Sequence, residues 1–148
     1  MTIKVVRSIY CKAGVLGDYL WMIDQPEFAR ALFIFSDNEE QFDAYAAGEA
    51  SGFIAGGGNA AIRPLRRHSP SRVAGVPTGK HGRGYSSLDV ATKDKIDQAL
   101  AIIRDLVTSG NYDQIVIPTS KDGTTLGTGI FVVAPEVRDY IFEQLLKP

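Results

Sequence analysis

Short apolar runs, each closed by polar or turn-forming residues, recur along the chain and predict four β-strands. Residues 3–10 alternate loosely between apolar and polar side chains and are rich in β-branched types. Residues 31–36 form a continuous apolar run, which is typical of a strand buried on both faces. Residues 73–78 and 114–118 are brief apolar segments, each with a proline at or near its end. Because proline has no N–H to donate to a sheet, these prolines should lie at strand ends.

Two segments in the second half have the periodicity of helices. Within residues 88–109, apolar residues recur at spacings of three and four, at Ile96, Leu100, Ile103 and Val107. Ser86 or Ser87 is expected to cap the start of this helix, and Gly110 is expected to end it. A second helix is predicted over residues 135–146, with a proline in its first turn.

The alternation of strands and helices predicts the fold class. The second half runs strand, helix, strand, helix, and this order favours helices layered on a mainly parallel sheet. A chain of 148 residues suits one domain with a sizeable core. We therefore expect a single three-layer α/β/α domain over residues 1–148, with a mixed, largely parallel sheet. Residues 38–72 are mixed in polarity and support no assignment.

Composition narrows the functional classes. The chain has 16 basic and 17 acidic residues and a net charge of −1, which argues against general attraction to nucleic acid or an anionic membrane. No stretch approaches the ~18 apolar residues of a membrane span, and the start lacks the apolar core of a signal peptide. Cys11 is the only cysteine, so no intramolecular disulfide is expected. These features predict a cytoplasmic protein whose anion sites are local.

Three consecutive glycines, Gly56, Gly57 and Gly58, interrupt the unassigned segment. Glycine inside a helix or strand costs roughly 0.5–1 kcal/mol relative to alanine, so such a run indicates a loop. The glycines either supply turns with positive φ or let a ligand reach backbone N–H groups. The run by itself does not choose between these interpretations.

Polar loops follow three of the predicted strands, at residues 36–38, 78–82 and 119–129. The carboxyl ends of parallel strands lie at one edge of a sheet, where ligands bind, so these loops and the glycine run are expected to converge. Residues 123–129 hold three glycines and three threonines, which offer N–H groups and hydroxyls to phosphate. The Gly-Lys-Ser/Thr ending of a Walker loop is absent, which argues against that class of triphosphatase. The candidate ligand-binding residues are Asn38, Gly56, Gly57, Gly58, Thr78, Gly79, Gly123, Thr124, Thr125, Leu126, Gly127, Thr128 and Gly129.

Four polar residues are candidates for chemistry. Asp37 could act as a general base or bind a ribose, and it could equally be a solvated or turn-forming aspartate. Asn59 suits a hydrogen bond to a ribose or a water, and also a helix cap. Lys80 could contact a pyrophosphate, or its side chain could simply be exposed to solvent. Asp122 is a further polar participant if the protein is a hydrolase.

The strongest local positive patch surrounds His68 and consists of Arg63, Arg66, Arg67 and Arg72. Without interleaved aromatic residues, this patch favours a solvated loop over RNA binding. Two histidines without spaced carboxylates argue against a transition-metal site, and no cofactor is predicted. Nucleophilic catalysis has no support, because the chain lacks a Gly-x-Ser-x-Gly elbow and no base is predicted beside Cys11.

The order of these features resembles that of macro domains, which bind ADP-ribose and in several branches hydrolyse ADP-ribosyl or O-acetyl-ADP-ribose esters. Residues 54–62, Ile-Ala-Gly-Gly-Gly-Asn-Ala-Ala-Ile, are similar to the glycine-rich first phosphate loop of that family. Residues 74–78, the long helix, residues 115–118 and the loop 123–129 resemble its second half. The chain also looks like a group of small phage-type proteins that share a Phe-x-Phe-x-Asp-Asn strand end. This second likeness covers about residues 32–145 and is the closer of the two.

The resemblance implies a nucleotide of the ADP-ribose kind as partner, with its phosphates against residues 56–58 and 123–129. Asp37 or Asn38 would then lie near a ribose or an adenine edge. Many hydrolytic macro domains carry an early Asn-Ala-Ala-Asn motif and an aspartate just after the glycines, where this chain has Asn59. Pro64 should also end any helix that begins at Asn59. The resemblance to macro domains therefore supports ligand binding by this chain more than it supports catalysis.

Two alternatives stay open. One is an enzyme that removes ADP-ribose or a related group with the four polar candidates. The other is a phage-type interaction protein that inhibits a host protein through its surface or sequesters a nucleotide signal. In the nucleotide-binding interpretation, Gly57→Val should abolish binding, and Asp37→Ala should weaken binding without unfolding the protein.

Overall fold

A computed structural model of the protein describes residues 3–129 and 131–147. Its main sheet has four strands in the order β1-β6-β2-β3, and all three ladders are parallel. A separate antiparallel hairpin consists of β4 and β5. The strands are β1 (Lys4–Ser8), β2 (Ala31–Asp37), β3 (Val73–Pro77), β4 (Gly79–Lys80), β5 (Arg83–Gly84) and β6 (Gln114–Pro118).

Helices cover both faces of the main sheet. The α-helices are α1 (Tyr19–Met22), α2 (Glu39–Ala46), α3 (Val90–Thr108) and α4 (Pro135–Leu145). Three 3₁₀ helices occupy Pro26–Phe28, Ala50–Phe53 and Gly58–Arg67. Successive side chains of a strand point to opposite faces, so β2 supplies both cores. Leu32 and Ile34 pack with α2, α3 and α4 on one face, whereas Phe33 and Phe35 pack with α1 and the Gly58–Arg67 helix on the other.

These elements confirm the α/β class and the largely parallel sheet. The four predicted strands and two predicted helices all form, and Pro77 and Pro118 are the last residues of β3 and β6. Gly110 follows α3 with φ of +83°, as expected of a glycine that ends a helix. The predicted cap was wrong. Asp89 caps α3 by accepting a hydrogen bond from the Thr92 N–H at 2.8 Å, two to three residues closer to the helix than the serines.

The unassigned segment is helical over much of its length. It forms α2 and then two 3₁₀ helices, and the second of these continues through Pro64 to Arg67. The prediction that Pro64 ends a helix was therefore wrong. The helix is of the 3₁₀ type, whose short hydrogen-bonded turns tolerate a missing N–H better than the interior of an α-helix does.

Within the described ranges, none of the helices has both the length and the apolar character needed to cross a lipid bilayer.

Candidate functional site

A cleft of about 820 Å³ opens at the carboxyl ends of β1, β2 and β6, and we call it the strand-end cleft. Its volume lies within the roughly 300–1,000 Å³ that is typical of small-molecule sites. The residues that line it are Ser8, Tyr10, Ser36, Asp37, Asn38, Gly56, Gly57, Gly58, Asn59, Ala60, Arg63, Pro118, Thr119, Ser120, Lys121, Leu126, Gly127, Thr128, Gly129, Phe131 and Arg138.

Three of the four loops expected to converge line this cleft. They are residues 36–38, the glycine run, and part of the loop that follows β6. The loop at 78–82 lies elsewhere because it forms the β4–β5 hairpin. The end of β1 takes its place, since β1 is hydrogen-bonded to β6 along its whole length.

Asp37 lies buried between two arginines at the cleft, and we call Asp37, Arg63 and Arg66 the Asp37 triad. Arg63 Nη2 donates to Asp37 Oδ1 at 2.9 Å, and Arg66 Nη2 donates to Asp37 Oδ2. The other terminal nitrogens donate to backbone, Arg63 Nη1 to the Ile54 carbonyl at 3.0 Å and Arg66 Nη1 to the Gly52 carbonyl at 3.1 Å. Asp37 is only 1% exposed, so the interpretation as a solvated turn was wrong.

The sheet is shaped to hold this triad. The two guanidinium groups lie over the Phe35 ring, at 5.6 Å for Arg63 and 4.9 Å for Arg66. A Cβ at Gly75 on β3 would lie 2.3 Å from Arg66 Nη2 and 2.7 Å from Asp37 Oδ2, so only glycine leaves room there. Burial lowers the pKa of Arg66, while the Asp37 carboxylate opposes that shift and the charge of Arg63 adds to it.

The cleft is electropositive although the chain is nearly neutral. The triad combines two guanidinium groups with one carboxylate, and Lys121 and Arg138 add two further cations at the cleft. Among the described residues that line the cleft, Asp37 is the one carboxylate. A buried positive charge without a full partner is costly, so the cleft favours an anion.

The sequence favoured a single solvated loop for the arginine-rich patch, and this prediction was wrong. Arg63 and Arg66 are buried, whereas Arg67 and His68 are exposed. Arg72 binds the protein's own backbone, with Nη2 at 2.6 Å from the Phe28 carbonyl. Tertiary contacts therefore divide the patch into separate roles.

Each glycine of the run has a different local environment. A Cβ at Gly56 would lie 2.9 Å from Arg63 Nη1, so this glycine gives the guanidinium group space. Gly58 has φ of +55°, which favours glycine. Gly57 has φ of −80°, and a Cβ there would meet nothing within 4 Å. The fold itself therefore gives no reason for a glycine at Gly57.

Two asparagines line the cleft while fixing local structure. Asn59 Oδ1 accepts from the Tyr19 N–H at 2.9 Å, which ties the glycine run to the start of α1. Asn38 Oδ1 accepts from the Gln41 N–H at 2.8 Å and caps α2. Asn59 is therefore not a helix cap, because Asp18 caps α1 and Gly57 precedes the Gly58–Arg67 helix; its hydrogen bond instead joins two segments 40 positions apart.

The loop after β6 lines the cleft with both of its ends, residues 119–121 and 126–129, but not with its middle. Leu126, Gly127, Thr128 and Gly129 line it, whereas Gly123, Thr124 and Thr125 do not. Asp122 is also outside the lining and holds the first part of the loop together. It accepts from Ser120 Oγ at 2.6 Å and from Thr124 Oγ1 at 2.8 Å, and these hydrogen bonds lower its pKa to about 2.

Three other candidates do not line the cleft. Thr78 is buried, with Oγ1 at 2.6 Å from Ser36 Oγ. Gly79 and Lys80 form β4, and Lys80 is exposed. A Cβ at Gly79 would lie 2.2 Å from the Arg83 carbonyl oxygen, so the hairpin itself requires this glycine.

The sequence did not indicate several lining residues, notably Tyr10, Phe131 and Arg138. Thr119 belongs to the predicted loop 119–129 but was not among the candidate binding residues. Arg138 lies about one turn into α4, where the positive end of the helix dipole disfavours a cation. A cation in the first turns of a predicted helix is unfavourable there, so its presence could have indicated a functional residue from sequence alone. Tyr10 and Phe131 carry no such signal, because their position depends on how the loops fold.

Within residues 3–129 and 131–147, no three side chains of His, Cys, Asp or Glu lie together so that they could hold a metal ion. No family model matches the sequence, and no curated protein or solved structure matches it significantly. The resemblance to macro domains stays a prediction.

Proposed function

We propose that the strand-end cleft binds a nucleotide of the ADP-ribose kind. In this proposal the pyrophosphate lies against the glycine run and residues 126–129. The observation that carries the proposal is Gly57. Its φ is ordinary and its Cβ position is empty, so the glycine is explained by a ligand that approaches the backbone closely.

The charge of the cleft supports a phosphate-bearing ligand. Arg63 lines the cleft next to Gly56. The Asp37 triad has two positive charges and one negative charge, so its net charge is positive. A pyrophosphate near Arg63 would compensate this surplus. The contact would also be stronger than at an exposed arginine, because the buried guanidinium group is held in place by Asp37 and the Ile54 carbonyl.

Aromatic side chains at the same cleft suit the remainder of a nucleotide. Tyr10 is 39% exposed, and Phe131 lines the cleft as well. Nucleobases stack on aromatic rings with about 1–3 kcal/mol per base. A base or a ribose between these loops would therefore add affinity without specific hydrogen bonds.

The four polar candidates support binding more than hydrolysis. Both oxygens of Asp37 are engaged by arginines inside the protein, which leaves no free carboxylate to act as a base. Asp122 and Lys80 do not line the cleft, and the Asn59 oxygen is committed to Tyr19. Turnover of an ADP-ribosyl ester would revise this part of the proposal.

Calorimetry and thermal-shift measurements with ADP-ribose, NAD and ATP test the proposal. A ligand at 100 times its dissociation constant should stabilise the protein by roughly 2.7 kcal/mol. Gly57→Val should abolish the shift caused by ADP-ribose while changing the ligand-free melting temperature little, since its side chain meets open space. Ala55→Val is the matched control, because Ala55 is exposed on the same loop and does not line the cleft.

Equal ADP-ribose affinity in wild type and Gly57→Val would leave the glycine run as a turn. A wild-type protein that binds none of these nucleotides would favour the interaction-protein alternative.

A further inference from the structure

One edge of the main sheet is open at β1, which pairs with β6 on its inner side. The Lys4 N–H donates at 3.0 Å and the Ser8 carbonyl accepts at 2.7 Å, each to the residue that flanks β6. In a parallel ladder alternate residues face the partner strand, so the N–H and C=O groups of Val5 and Arg7 point away from β6. Within the described ranges, no other strand pairs with this outer side of β1.

The two edge strands of the sheet differ in how they are covered. All five residues of β3 are buried, and its last residue is Pro77. On β1, by contrast, Lys4 and Arg7 are exposed, and Val5 and Val6 are only partly buried. An exposed edge with free backbone donors and acceptors is the place at which a further strand can add.

A groove of about 480 Å³ lies beside β1, and we call it the β1 groove. Val6, Met22 and Phe28 supply part of its apolar lining. Ile9 and Leu16 also line it, and these large apolar side chains are 43% and 64% exposed. Exposed apolar side chains that share a concave surface mark an interaction site, and a strand added at a sheet edge places alternate side chains in such pockets.

The two faces of β1 offer different chemistry to an added strand. Val6 packs with the cluster that contains α1, whereas Val5 packs with the cluster that contains α4. Arg7 is on the same face as Val5, and its guanidinium carbon lies 5.4 Å from the centre of the Phe142 ring. An added strand would therefore place one alternate set of side chains in the β1 groove and the other set beside Arg7.

The charges of this edge favour an acidic partner. Lys4 and Arg7 are cations, and within residues 3–129 and 131–147 neither forms an ion pair. Glu27 is the one carboxylate among the described residues that line the β1 groove. Two copies of β1 would bring both pairs of cations together, so the edge disfavours pairing with itself.

We propose that β1 is a docking edge for a partner protein, which adds an extended segment that alternates apolar and acidic residues. Its apolar side chains enter the β1 groove, its acidic side chains lie beside Arg7, and its backbone pairs with that of Val5 and Arg7. A nucleic acid would leave the outward carbonyls without donors, whereas a peptide strand supplies both donors and acceptors. The proposal does not depend on nucleotide binding, since among the described residues the linings of the groove and the strand-end cleft share only Ser8.

Calorimetry with two short, end-capped peptides tests the docking edge. One peptide alternates valine and glutamate, and the other has the same composition with the two residue types in separate blocks. We expect only the alternating peptide to bind. Arg7→Glu should weaken its binding about tenfold, because an attraction becomes a repulsion. Arg83→Glu is the matched control, since Arg83 is exposed on β5 of the separate hairpin and should leave the affinity unchanged.

Charge reversal in the peptide separates lost binding from lost folding. A peptide that alternates valine and lysine should bind Arg7→Glu more tightly than it binds the wild type, because the charges are again opposite. Lys4→Glu should act in the same direction as Arg7→Glu. Undiminished binding of the valine–glutamate peptide to both variants would overturn the charge pairing, and with it the proposal.

N-methylated peptides test the backbone pairing. Methyl groups on one alternate set of amides block one edge of the peptide strand, and methyl groups on the other set block the opposite edge. One of these two peptides should lose binding while the other retains it, because only one edge of the peptide faces β1. ¹⁵N NMR should locate the largest amide shifts at Val5 and Arg7. Equal affinity of the two methylated peptides would overturn the strand addition.

The oligomeric state tests a second copy of the chain as the occupant. Sedimentation equilibrium of the protein without peptide should show a monomer. A dimer that dissociates in Arg7→Glu would make this edge a self-interface and would overturn the proposal. The same conclusion would follow if the alternating peptide did not bind the wild type at millimolar concentration.

Discussion

Arg63 Nη2 lies 2.9 Å from Asp37 Oδ1, and the two side chains are 6% and 0% exposed. Arg66 holds the other carboxylate oxygen from one helical turn further on. One buried carboxylate therefore positions two guanidinium groups, and only Arg63 lines the cleft. This arrangement makes Asp37 a structural partner of the ligand-facing arginine. It also changes what a substitution at Asp37 should do.

Asp37→Asn should lower the free energy of unfolding by about 3–5 kcal/mol, because it leaves two buried guanidinium groups without an anion. Urea denaturation followed by circular dichroism measures the change. Asp43→Asn is the control, since Asp43 is 51% exposed in its pair with Lys95 and should cost under about 1 kcal/mol. This expectation replaces the one drawn from sequence, that Asp37 contributes little to stability. A loss below about 1 kcal/mol at Asp37 would contradict it.

Gly75→Ala should destabilise the protein by about 1–3 kcal/mol, because the added methyl group overlaps Arg66 Nη2 and Asp37 Oδ2. The same substitution at Gly57 should not destabilise it, as a Cβ there meets nothing within 4 Å. Thermal unfolding of both variants without ligand measures the difference. Equal melting temperatures would show that the triad adapts to the methyl group.

Gly58→Ala should cost about 1–2 kcal/mol, because φ at this position is +55° and an L side chain is strained there. Gly57→Ala should be neutral or stabilising by up to about 1 kcal/mol, since its φ of −80° suits alanine and the unfolded chain loses freedom. Chemical denaturation of the two single variants compares them directly. If Gly57→Ala were the more damaging, the contrast between a turn glycine and a ligand-approach glycine would be wrong.

Thr119→Val should raise the free energy of unfolding of the ligand-free protein by about 1 kcal/mol. The buried hydroxyl has no partner among residues 3–129 and 131–147, and its replacement by a methyl group of similar shape removes the cost of desolvating it. Thr119→Ser, with the hydroxyl retained, should give no such gain. Denaturant titration checks both variants, and a clear loss of stability in Thr119→Val would mean that the hydroxyl is satisfied in the folded protein.

Asp122 should titrate near pH 2, because Ser120 and Thr124 donate hydrogen bonds to its charged form. The folded pKa lies below the ordinary value of 3.8, so the charged form favours the folded loop. Its contribution is complete above the unfolded pKa and is lost as the pH falls toward about 2. Carboxyl ¹³C NMR follows the titration. Thr124→Val should raise this pKa, and an unchanged midpoint would contradict the assignment of the shift to these hydrogen bonds.

Hydrophobic patterning determined the parallel core. The run at 31–36 and the stripe of α3 are local signals, because burial on both faces requires consecutive apolar residues and burial on one helical face requires a period near 3.6. The prolines at the ends of β3 and β6 follow from the missing N–H. Each of these features depends on neighbours within a few positions, and the structure confirms them.

Only the tertiary structure decided the roles at the cleft. Asp37 meets Arg63 and Arg66 across separations of 26 and 29 positions, and Asn59 meets Tyr19 across 40. Such pairings depend on where the strands and the Gly58–Arg67 helix pack, which a single sequence does not state. The glycine run shows most clearly which properties a single sequence does not determine. Of three identical residues in a row, Gly58 has a positive φ and Gly56 has Arg63 beside its Cβ position, because such properties belong to the surrounding structure and not to the residue type.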